Sequence, residues 1–143
     1  MEKSEVKDFN YDDCFKLGCL MVKNHDPHAN PIAIRIYYDD LIVFQYIMEG
    51  RDVGNLPWLE RKANTVRKTG MASIEVVKAI KAGKYLELKE DKTVALYGGG
   101  YPLYQDGKLT CIICVSGMDN DEDDAKIIDQ AVKEYLRVSK KGV

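Results

Sequence analysis

At 143 residues the chain has the length of one domain, able to bury roughly two-thirds of its unfolded surface. A hydrophobic fraction of 45% and a charged fraction of 31% speak against disorder, and runs such as Leu41 to Phe44 and Cys111 to Val115 are too short to cross a bilayer. A net charge of -2, from 21 basic and 23 acidic residues, offers nucleic acid and anionic lipid no general attraction, so neither is expected as a partner.

No basic start followed by an apolar run marks a secretory signal, and the four cysteines are expected as reduced thiols in the cytosol. The chain is expected to form a single domain over 1–143, with residues 1–9 as a frayed lead-in. From Tyr11 to Asn24, Phe15, Cys19 and Val22 recur at helical spacing, with Asp12 and Asp13 in the first turn, where negative charge complements the helix dipole. Pro27 and Pro31 then force a loop that carries His25 and His28. Alternation of Ile32, Ile34 and Ile36 with Ala33, Arg35 and Tyr37, the turn Asp39-Asp40 and the β-branched and aromatic run to Met48 predict a hairpin.

Pro57 suits a first helical position, so Trp58 to Lys68 predicts a helix that Gly70 stops. Ser73 is expected to cap a second short helix with Ile74, Val77 and Ile80 on one face, ended by Gly83. Charged residues from Tyr85 to Thr93 read as a loop, with a short strand reaching Val94 to Tyr97. After Gly98-Gly99-Gly100, Tyr101 to Tyr104 and Lys108 to Ser116 flank Gln105-Asp106-Gly107, a specific hairpin signal because glycine readily takes positive φ. The acidic stretch Asp119 to Asp124 precedes a closing helix with Ile127, Ile128, Ala131, Val132, Tyr135 and Leu136 at helical spacing.

Several groups invite a chemical reading. Cys111 and Cys114 have metal-pair spacing, but residues three apart on a strand point to opposite faces, so buried thiols are expected and no metal site. His25 and His28 have no evident co-ligand, and the acidic stretch lacks the glycine and glutamate spacing of a calcium loop. The glycine triplet precedes a strand, the wrong context for a phosphate cradle, yet it allows another backbone or a flat ligand to approach. Arg61 and Lys62 could meet an anionic ligand or another subunit's carboxylates, and Trp58 is expected at an interface. No nucleophile and base are visibly paired, so the sequence names no reaction.

Taken in order, Trp58-Leu59-Glu60-Arg61-Lys62-Ala63-Asn64, Gly98-Gly99-Gly100-Tyr101-Pro102-Leu103, and Val115-Ser116-Gly117 followed by Glu122-Asp123 resemble the GlcG/HbpS-like "haem-degrading" domain family, in particular its uncharacterised-protein branch. The resemblance implies an α+β, profilin-like α/β/α fold, with an antiparallel sheet of about five strands and helices on both faces. It further implies closed homo-oligomers and a haem, another tetrapyrrole or another small anionic molecule as ligand. The pocket is then expected near Gly98, Gly99, Gly100, Tyr101, Pro102, Ser116 and Gly117, bordered by Arg61, Lys62 and Asn64. Members of the branch often carry a histidine after the Glu-Asp pair; here that position is Asp124, which argues against haem ligation by the closing helix. An assembly module without a small-molecule pocket is the competing expectation.

Overall fold

A computed structural model describes residues 4–143. Strand β1 (Ser4–Val6) leads into helix α1 (Tyr11–Asn24), the hairpin β2 (Ala33–Tyr38) and β3 (Leu41–Ile47), then α2 (Leu56–Thr69) and α3 (Ser73–Lys81). A second hairpin, β4 (Gly100–Gln105) and β5 (Lys108–Ser116), precedes α4 (Asp121–Ser139). The sheet order is β1-β4-β5-β2-β3.

Local chemistry explains these elements. Asn10 and Asp13 form a reciprocal capping box that satisfies backbone donors at the start of α1. Both hairpins turn through two residues of positive φ, Asp39-Asp40 and Asp106-Gly107, matching the twist of the flanking strands. Gly70 ends α2 in the left-handed conformation, and Asn120 caps α4.

Alternation along the strands separates two apolar layers. Ile34, Ile36, Cys111, Ile113 and Val115 face α1 and α4, meeting Leu17, Met21, Ile128 and Val132. Ala33, Tyr37, Ile112 and Cys114 face α2 and pack on Leu59, Ala63 and Val66. The α/β/α layering follows, and Cys111 and Cys114 fall on opposite faces as the strand period requires.

Three expectations need correction. The lead-in is not frayed throughout: residues 4–6 form β1, tied down by a bridge from Val6 to Gly142 and by Val143 N–H donating to the Glu5 carbonyl, while residues 1–3 lie outside the described residues. Because β1 runs parallel to β4, the sheet is mixed rather than wholly antiparallel. Val94 to Tyr97 is not a strand; it runs as irregular chain beside α2, whose groups take up its backbone donors and acceptors.

Candidate functional site

The glycine corner lies inside the molecule, against α2, β5 and the start of α4. Gly98, Gly99 and Gly100 are all buried. Gly99 has φ of 116°, and a Cβ there would collide with the Val115 carbonyl oxygen and sit 2.8 Å from Lys62 Nζ. A Cβ on Gly100 would sit 2.7 Å from the Lys62 carbonyl oxygen. The triplet is therefore a place where backbone meets backbone, the close approach that glycine alone permits.

Lys62 explains why the corner is so tight. Its ammonium is buried and donates to the Val115 carbonyl at 2.7 Å and to Asp124 Oδ2 at 3.2 Å. Asp124 in turn accepts from Met118 N–H at 3.1 Å through Oδ1. Burial pushes the Asp124 carboxyl above its ordinary range, although Lys62 and the Met118 N–H pull against it. Lys62 is thus committed to an internal ion pair, and its partner is the residue directly after Glu122-Asp123.

The other expected site residues scatter around this pair. Gly117 approaches the Pro31 carbonyl, and Ser116 accepts from Asn55 Nδ2 at 3.3 Å at the opposite end of α2 from Gly70. Asn64 donates to the Thr93 carbonyl and accepts from Arg67. Pro102 is buried in β4, opposite Ile112. Arg61 lies over the Trp58 ring, 5.3 Å from its centroid. Only Gly100 and Tyr101 of the expected set open onto a cavity beside α3 and α4.

That cavity is a groove of about 710 Å³ between α3, α4 and the β1–β4 side of the sheet, within the size range of small-molecule sites. Ala72, Ile74, Ala125, Ile128, Val132 and Leu136 give it an apolar wall. Lys78, Lys126 and Lys133 line it together with Glu5, Glu75, Glu122 and Asp129; Lys78 pairs with Glu75 and Lys133 with Asp129, while Lys126, Glu5 and Glu122 make no ion pair among the described residues. Tyr101 Oη, at the floor, shares a hydrogen bond with Ser4 Oγ at 2.8 Å and donates to Asp129 Oδ1 at 3.3 Å. Burial raises the Tyr101 phenol, so it stays protonated at neutral pH.

Sequence reasoning did not find this groove, because its walls come from α3 and α4, which are 40 residues or more apart in the chain.

Against known proteins, residues 9–133 match the family described as Haem degrading protein HbpS-like. The chain belongs to that family. Among HbpS-like relatives, a UPF0303 protein of Psychromonas ingrahamii is 29% identical over 85% of this chain and 79% of its own length. A UPF0303 protein of Schizosaccharomyces pombe is 25% identical over 94% and 79%. Three solved structures share the fold. Ybr137w protein superposes with a TM-score of 0.78 at 22% identity, covering 92% of this chain and 81% of that one. A double mutant of Streptomyces reticuli HbpS gives 0.74 at 15%, covering 94% and 90%. The PduOC:heme complex gives 0.72 at 22%, covering 87% and 93%.

The donor set speaks to haem in this HbpS-like chain. The groove offers no imidazole, thiolate or thioether; its one candidate axial ligand, Tyr101, is a neutral phenol already hydrogen-bonded. His25 lies elsewhere, on a cavity of about 210 Å³, below the range of small-molecule sites, and its Nε2 is bound to the Asn30 carbonyl at 2.7 Å. The residues that line the groove therefore supply none of the imidazole, thiolate or thioether ligands that usually hold a haem iron. Nor do the described residues hold a cluster of three or more histidine, cysteine, aspartate or glutamate side chains suited to a metal ion. No helix among them is long and apolar enough to cross a membrane.

Proposed function

We propose that the protein is a homo-oligomeric cytosolic binding protein whose α3–α4 groove takes a small amphipathic anion. The groove carries the reading: its apolar wall suits a hydrophobic body, and Lys126, the lining lysine without an ion pair, is free to hold one carboxylate or phosphate, placed away from Glu5 and Glu122. A tetrapyrrole meets that description through its ring and propionates, held by the periphery rather than by iron. The name of the family and the PduOC:heme complex support this ligand class without extending it to catalysis.

Assembly is supported by a different surface. Strand β3 forms one edge of the sheet, seven residues without a charge or a proline, and its flank is covered by exposed apolar groups. Phe15 is 56% exposed on α1, one turn from exposed Tyr11 and against Phe44 of β3, and Leu41 and Tyr46 of β3 are exposed as well, an unprotected edge of the kind that pairs with another chain.

Titration with haemin and with metal-free protoporphyrin IX tests the groove. Saturable binding of both with affinities within about threefold, weakened at least fivefold by Lys126→Glu, is the expected result. No saturation by either, or binding of haemin alone, would overturn the reading.

A further inference from the structure

A second site lies at the start of α2, where Trp58 and Tyr97 form a corner. Their rings are 5.8 Å apart and inclined at 78°. Both stay open to solvent, Trp58 at 38% and Tyr97 at 52%. They belong to segments that are laced together: Ala95 N–H donates to the Arg61 carbonyl at 3.2 Å, Thr65 Oγ1 to the Ala95 carbonyl at 2.7 Å, and Asn64 Nδ2 to the Thr93 carbonyl at 2.9 Å. The corner is therefore held by hydrogen bonds from α2 to the backbone of 93–95 as well as by the edge contact of the rings.

The rim of this corner is cationic. A cleft of about 450 Å³ runs from the rings past Arg61, Lys89 and Lys92. None of these three forms an ion pair among the described residues; Asp91, the carboxylate in the cleft, is occupied by Lys68 and Thr93. A cationic guest, which aromatic faces alone would attract, is repelled by this rim. A flat apolar guest without charge would leave the three cations unused. Two aromatic surfaces, one of them with the Arg61 guanidinium 5.3 Å from its centroid, beside two ammonium groups without an ion pair suit stacking with an anion in reach.

We propose that the Trp58–Tyr97 corner binds a planar aromatic anion, its ring against the indole and phenol and its phosphate or carboxylate on Arg61, Lys89 and Lys92. The site is separate from the α3–α4 groove: the two share no lining residue. Arg61 and Trp58, both singled out in the sequence, act here together, whereas Lys62 on the same helix turns inward to Asp124.

Flavin mononucleotide and uncharged riboflavin serve as probes of the full chain, read by quenching of flavin fluorescence and by calorimetry. Trp58 is the one tryptophan in the sequence, so its emission gives a second binding signal from a single known position, while the site itself is assigned by the variants. Flavin mononucleotide should saturate at one per subunit and bind at least tenfold more tightly than riboflavin, with an affinity that falls as salt rises. Trp58→Leu and the pair Lys89→Ala, Lys92→Ala should each weaken it at least fivefold while circular dichroism and mass stay unchanged, and Lys126→Glu should leave it intact. Equal affinity for the two probes, binding indifferent to Trp58→Leu, absence of saturation, or loss of the oligomer in Trp58→Leu would overturn the proposal, the last by showing that the corner is a subunit contact.

Discussion

Lys62 and Asp124, 62 residues apart in sequence, form a buried ion pair at 3.2 Å in which each side chain is about 5% exposed or less. Taking two charges out of water is costly, and their attraction offsets that cost only while both are present. Asp124→Ala should accordingly lower the unfolding free energy by about 3–5 kcal/mol, by stranding a buried ammonium. The joint change Lys62→Met with Asp124→Leu should cost clearly less than Asp124→Ala alone. Urea denaturation of the wild type and the two variants checks this, and a loss in the double variant as large as in Asp124→Ala would contradict it.

Acid sensitivity should come from Asp13. Burial alone would raise its carboxyl, but hydrogen bonds from Lys141 at 2.8 and 3.0 Å and from Tyr135 outweigh it and hold the group below the ordinary carboxylate range. A depressed folded value means stability that is present above about pH 4 and is lost as pH falls through the folded pKa. Asp13→Asn should flatten the acid limb of a stability profile measured from pH 2 to 7. Asp124 carries the opposite sign: its raised pKa means that its ionisation opposes folding as pH rises from the ordinary carboxylate value to the folded one.

Two glycines distinguish strain from collision. Gly107, with φ of 76°, has nothing within 4 Å of a built Cβ, so Gly107→Ala should cost only the left-handed backbone, about 1–2 kcal/mol. Gly99→Ala adds the clash with Val115 and Lys62 and should cost about 3 kcal/mol or more. Thermal unfolding of both variants gives the comparison; equal losses would mean that the corner is looser than its contacts imply.

If the α1–β3 face joins subunits, Phe15→Glu should reduce the mass seen by light scattering while leaving circular dichroism unchanged. Phe15 stacks edge-on against Phe44, with centroids 6.2 Å apart, and its open side faces solvent, so the substitution places a charge on the face without emptying the core. An oligomer of unchanged mass would place the contact elsewhere.

The sequence predicts α1, the closing helix and both hairpins because their causes are local. A capping Asn10, acidic first turns, Asp39-Asp40 and Asp106-Gly107 act on neighbours a few residues away. Ser73 shows where local reading fails. It is expected as a helix cap, yet its hydroxyl accepts from Gly100 N–H at 2.9 Å, on a strand 27 residues further on, and Ala72 takes the cap position.

The candidate site divides in the same way. Periodicity and turn residues determine the helices and hairpins of an α+β domain, since they depend on the spacing of apolar residues along one chain, while the family follows from the resemblance of the motifs and the match over residues 9–133. Only the tertiary structure decides that Lys62 faces Asp124, that the glycine corner is closed by Val115, and that α3 and α4 enclose a groove. Helical residues 61 and 62 differ by about 100° of rotation, so Arg61 meets solvent and Trp58 while Lys62 meets the core; which direction is inward depends on where the sheet packs.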